Sequence, residues 1–143
     1  MNKMVVVLSV LLLTISSGSL SAQVDGYDLI YSGLPGKRVT MTPDAITEED
    51  LTPDQQQEFR LLIVRDQAGK YFWLSRDMRE VIRSDNPGAF TIFHAVDGIG
   101  YVKVIRNPSL WGEDAYTYVE HFSSWLNSFT YYGTSELRGD LPR

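Results

Sequence analysis

The segment Trp73-Leu74-Ser75-Arg76-Asp77-Met78-Arg79-Glu80-Val81-Ile82-Arg83 carries the residue types best suited to grip a small anion. Arginine offers a planar fork of N–H donors that matches the two oxygens of a carboxylate or phosphate, and an aromatic wall beside it keeps water out. Arg76, Arg79 and Arg83 supply the forks; Trp73, with Tyr71 or Tyr101, supplies the wall. At helical spacing Arg76, Arg79, Glu80 and Arg83 share one face, and Met78, Val81 and Ile82 share another. A plainer account of the charged face is a wet helix side with an Arg76–Glu80 pair, worth only ~0.3–0.5 kcal/mol.

Other chemistries find less support. His94 and His121 are the only histidines, and neither sits at ligand spacing from a second histidine or a cysteine, so no metal site is expected. Ser123 and Ser124 follow His121, but adjacent helical positions point in different directions, and there is no G-x-S-x-G elbow. Asp77, Asp97 and Glu120 could do acid–base work if the fold brings them together. Gly98-Ile99-Gly100 precedes a strand pattern rather than a helix start, which argues for a hairpin turn over a phosphate loop. The acidic run from Asp44 to Glu58 lacks EF-hand spacing and reads as an exposed lead-in rather than a calcium site. No catalytic residue and no cofactor are assigned.

The elements that must position these groups follow from periodicity. Leu61-Leu62-Ile63-Val64 and Tyr71-Phe72-Trp73 flank Asp66-Gln67-Ala68-Gly69, which predicts an antiparallel hairpin. Ser75 or Asp77 caps a short helix to about Arg83, stopped by Ser84-Asp85-Asn86-Pro87-Gly88. Ala89–Ala95 and Tyr101–Ile105 flank an Asp97-Gly98 turn and predict a second hairpin. Glu113 to Tyr132 places Ala115, Tyr118, Val119, Phe122, Leu126 and Phe129 at three- and four-residue steps, which predicts one long amphipathic helix ending at Gly133. Tyr116, Trp125, Tyr131 and the preceding Trp111 lie outside that stripe, as expected of a helix buried on two sides or of a partner surface. Thr52-Pro53, with Gln55 at capping-box spacing, predicts a helical turn. The expected fold class is α+β: a two-layer sandwich of a four-stranded antiparallel sheet (two hairpins), one long C-terminal helix and one short helix.

The chain has 143 residues, 43% hydrophobic and 12% aromatic, and no cysteine. Disulfides, thiolate metal sites and thiol enzymes are therefore excluded. Met1-Asn2-Lys3 followed by the apolar run Met4–Ile15 and the small residues to Ala22 has the order of a secretory signal peptide. About 12 apolar residues rise only ~18 Å as a helix, short of a ~30 Å hydrocarbon core, so cleavage near Ser21/Ala22 or Ala22/Gln23 is expected rather than a stable membrane anchor. Losing Lys3 shifts the net charge from −5 to −6, which disfavours nucleic acid as a partner. The expected organisation is a signal peptide at 1–22, a lead-in with short helical turns at 23–57, one α+β domain at 58–133 and a flexible tail at 134–143. The sequence thus points to a small soluble protein of the periplasm or the exterior. Its expected role is non-enzymatic binding of a small anionic ligand, through Arg76, Arg79, Arg83, Trp73, Tyr71 and Tyr101, or of an envelope protein partner. A carboxylate/histidine hydrolase is one alternative. A structural or assembly subunit, homodimeric through the aromatic helix, is the other.

Overall fold

From Tyr116 to Phe122 every second side chain points inward, and that alternation reorganises the C-terminal half of the molecule. The computed structural model describes residues 23–107 and 115–138. Among them are ten strands: β1 (Gln23–Val24), β2 (Tyr27–Met41), β3 (Ile46–Asp50), β4 (Leu61–Arg65), β5 (Tyr71–Trp73), β6 (Arg79–Asn86), β7 (Phe90–Ala95), β8 (Gly100–Asn107), β9 (Ala115–Ser123) and β10 (Ser128–Arg138). One helix among the described residues, α1 (Pro53–Glu58), starts at Thr52, where both hydrogen bonds of the capping box with Gln55 are made.

Long β2 pairs antiparallel with β10 through 31–41 and with β4 through 28–33, closing eight strands into a barrel of order β2-β10-β9-β8-β7-β6-β5-β4. Strands β1 and β3 pair with the two ends of β2 outside the ring. Side chains alternate across each wall, so one row fills the interior. That interior is a packed core rather than a channel: Tyr31, Ile63, Trp73, Phe93, Val102 and Tyr118 are all buried. Strands alternate in direction, so the turns 74–78, 96–99 and 124–127 gather at one end of the barrel, the mouth.

The α+β expectation is corrected by this arrangement. The two hairpins form, as β4–β5 and β7–β8, but as parts of a closed barrel and not of a four-stranded sheet in a two-layer sandwich. The long C-terminal helix does not exist. Its described part is the β9–β10 hairpin, joined at Ser124–Asn127, while Trp111 and the expected start at Glu113 lie outside the described residues. Tyr116, Tyr118, Glu120 and Phe122 form the inward row; Thr117, Val119 and His121 form the outward row. β-branched and aromatic side chains fit a pleated surface better than a helix, and here they win over a chance three-to-four spacing. The short helix before Arg83 is also absent. Asp77 (φ 56°) and Met78 (φ 55°) are left-handed, which no α-helix tolerates, and β6 begins at Arg79. The expected signal peptide at 1–22 and the end of the tail at 139–143 lie outside the described residues.

Candidate functional site at the barrel mouth

Strand β5 ends on Trp73, whose indole is buried, and the turn 74–78 then folds Arg76 back over the barrel interior. Arg76 N–H donates to the Trp73 carbonyl (3.1 Å) and Arg79 N–H to the Arg76 carbonyl (3.3 Å), while Leu62 N–H donates to Ser75 Oγ (3.1 Å) and ties the turn to β4. A left-handed methionine costs on the order of 1 kcal/mol or more. Met78 bears that strain in the turn that delivers Arg76.

Glu120 waits beneath. It sits mid-strand in β9, between Val102 of β8 and Tyr131 of β10, with a relative exposure of 0%. Trp73 Nε1–H donates to Glu120 Oε1 (3.0 Å), and Arg76 Nη2 lies 3.1 Å from the same oxygen as an ion pair. Burial raises the Glu120 carboxyl to about 7, against the opposing pull of Arg76 and of the Trp73 hydrogen bond. The Arg76 guanidinium carbon lies 4.7 Å from the Phe122 ring centroid and 5.4 Å from that of Tyr131. Phe122 in turn stacks on Phe129 and Tyr131, and Tyr131 packs on Phe59. This ring column holds the guanidinium in a desolvated place, where cation–π attraction is worth on the order of 2 kcal/mol.

Several polar atoms here have no hydrogen-bond partner. Arg76 Nη1 donates to the Ser75 carbonyl (2.9 Å) and Nη2 is held by the ion pair with Glu120 Oε1, whereas the buried Arg76 Nε and Glu120 Oε2 make no hydrogen bond. Buried polar groups are nearly always satisfied, so an unpaired guanidinium N–H beside an unpaired carboxylate oxygen calls for a functional reading. A cavity of about 170 Å3 lies beside the Arg76 side chain, with Glu120 buried behind its lining. Its walls are Trp73, Phe122 and Ile99 on the apolar side and Arg76, Asp77, Arg79, Ser123 and Ser124 on the polar side. Arg79 is neutralised at the rim by a close ion pair with Asp97, and Asp97 also accepts from Ile99 N–H (3.1 Å). Ser123 N–H donates to the Ile99 carbonyl (2.8 Å), so two of the mouth turns are tied together.

The six residues singled out from the sequence therefore divide three ways. Trp73, Arg76 and Arg79 line the mouth cavity. Tyr71 and Arg83 meet further down the barrel: Arg83 Nη1–H donates to the Tyr71 hydroxyl (3.0 Å) and Nε–H to both Asp85 oxygens (3.1 Å each). Tyr101 stands on the outer wall, between the rings of His94 (6.3 Å) and His121 (5.7 Å). His121 Nδ1 hydrogen-bonds Thr130 Oγ1 (2.9 Å), and neither histidine lines the cavity. Glu120 stands out in the sequence only as one of three carboxylates that could do acid–base work; Ser123, Ser124 and Ile99 enter there only in readings set aside, and Phe122 only as part of an apolar helix stripe. A strict two-residue alternation from Tyr116 would have placed Glu120 and Phe122 inside. Comparison of the chain with protein-family models, curated proteins and solved structures finds no match.

Proposed function

We propose that this is an exported, non-enzymatic binding protein that takes a small organic anion into the barrel mouth, with Arg76 as the anchoring cation. The observation that carries the reading is Arg76: a largely buried guanidinium, paired to Glu120 through Nη2 and with Nε free of hydrogen bonds, lining a cavity of about 170 Å3. An apolar cavity of ~150 Å3 holds a benzene-sized molecule, so the ligand has on the order of six to ten heavy atoms. Export is supported by the leader-like order of residues 1–22. A soluble state is supported by the walls. They turn Phe93, Val102 and Tyr118 inward, so the interior is an apolar core and not the polar lumen of a transmembrane barrel, and β5 is only three residues long where a spanning strand needs ~9–11.

The test is a thermal-shift panel of small carboxylates, sulfonates and phosphate esters on the mature chain. At least one is expected to raise Tm in the wild type and to lose that effect in R76Q. Because R76Q strands Glu120, the neutral pair R76Q/E120Q is run beside it. Equal shifts in all three proteins would rule out Arg76 as the anchor.

A second reading, docking of an envelope protein partner, is favoured by the β9–β10 tip, where Trp125 is 100% and Leu126 70% exposed. It requires that W125S/L126S abolish a complex, homodimer included, seen by light scattering with the wild type.

A further inference from the structure

Resting on that binding reading, we infer the ligand class and its partner ion: the mouth takes a small monocarboxylic acid, with the carboxylate on Arg76 and one proton delivered to Glu120. The shape of the guanidinium argues for a carboxylate. Nε and Nη2 are its side-on pair, and their two parallel N–H bonds match the two oxygens of one carboxylate. Nε makes no hydrogen bond and Nη2 is held by Glu120 Oε1, so a carboxylate that takes both displaces that oxygen.

Charge then argues for the proton. Arg76 is the cation that faces Glu120, and Glu120 Oε1 already lies 3.1 Å from it. The other neighbours of Glu120 bring no charge: Trp73 from β5, Val102 from β8, Tyr131 from β10, and Tyr118 and Phe122 from β9 itself. Tyr118 stays a neutral phenol, since burial and the nearby Glu120 both push its hydroxyl upward. At the rim Arg79 and Asp97 neutralise each other. Asp77 is exposed at the entrance and adds only negative charge. A second carboxylate on Arg76 would leave two anions sharing one cation in a water-poor interior, where like charges repel strongly. Protonation of Glu120 removes that repulsion and restores a neutral set: one guanidinium, one bound carboxylate, one carboxylic acid. The reaction balances as anion plus proton entering together. A phosphate monoester, which carries close to two negative charges, would leave the set negative. Trp73, Phe122 and Ile99 supply the apolar walls for the body of the acid.

Benzoate is the probe. Isothermal titration of the mature chain is run in two buffers of different ionisation enthalpy, which counts the protons taken up. Near one proton per benzoate is expected at pH 8 and close to none at pH 5.5, with Kd weakening about tenfold per pH unit above 7. E120Q keeps an oxygen acceptor for Trp73, and it is expected to bind benzoate with no proton uptake and no such pH dependence. If E120Q does not fold, the two-buffer count on the wild type decides alone. Benzoate binding with no proton uptake at pH 8 overturns the inference and leaves the binding reading standing. Phenyl phosphate binding more tightly than benzoate overturns the ligand class. No heat from any small anion at any pH overturns the binding reading itself.

Discussion

Glu120 is the residue on which stability and the proposed ligand binding meet. Its carboxyl titrates near 4.5 when exposed and at about 7 in the barrel. The folded state therefore holds this proton more tightly than the unfolded state. Its contribution to stability is full below about pH 4.5, declines as pH rises to about 7 and stays at its lowest above that. Urea unfolding should register a loss on the order of 3 kcal/mol from this group across that window. E120Q should flatten the profile there; an unchanged slope would mean that Glu120 is not buried with a raised carboxyl. Trp73 is tested next to it. W73F keeps an aromatic ring edge-on to Phe122 but removes the N–H that holds Oε1, so it should cost about 2 kcal/mol in unfolding free energy. It should also raise the Glu120 carboxyl further, read by carboxyl 13C titration, because that hydrogen bond favours the charged form.

At the scale of elements, the walls close by bringing β2 and β10 tight over one ring. Gly33 and Gly133 lie in these neighbouring strands, and the Tyr118 ring lies across both, so a Cβ at either would collide with it. At Gly133 a Cβ would also meet the Leu34 carbonyl, which is backbone and cannot swing away. G133A should therefore cost more than about 2 kcal/mol in chemical denaturation. G26A is the contrast: Gly26 has φ 84° and open space around it, so only the backbone strain of roughly 1–2 kcal/mol applies. The elements also explain which parts of the fold were legible. Short apolar runs around Asp66–Gly69 and Asp97-Gly98 gave both hairpins, because their inward residues are apolar and the turn chemistry is local. Strands β6 and β9 were misread because their inward rows contain Arg79, Arg83 and Glu120. A charged side chain at an inward position erases the two-residue hydrophobic period, and a helical stripe can be found in what remains. The same charged residues make the candidate site, so the site was half visible (Trp73, Arg76, Arg79) while the strand that completes it was hidden.

For the whole molecule, closure joins distant parts of the chain: Tyr31 of β2 pairs with Arg138 of β10, and the Tyr31 hydroxyl bonds Ser135 across 104 positions. Such non-local pairing should make folding slow, in the range of about milliseconds to seconds by stopped-flow fluorescence. Microsecond folding would point to a local, helical architecture instead. The mouth also fixes where the proposed ligand would enter, since the turns 74–78, 96–99 and 124–127 surround it while Tyr101, His94 and His121 stand outside. The most direct test of an anion site inside this barrel is an NMR titration of the 15N-labelled chain from Gln23 onward with benzoate. Large shifts of the Trp73 indole N–H and of the Ile99 and Ser123 amides, lost in R76Q/E120Q, are the expected result. Shifts confined to the His94–Tyr101–His121 wall or to the Trp125 tip, with the Trp73 indole unmoved, would contradict it.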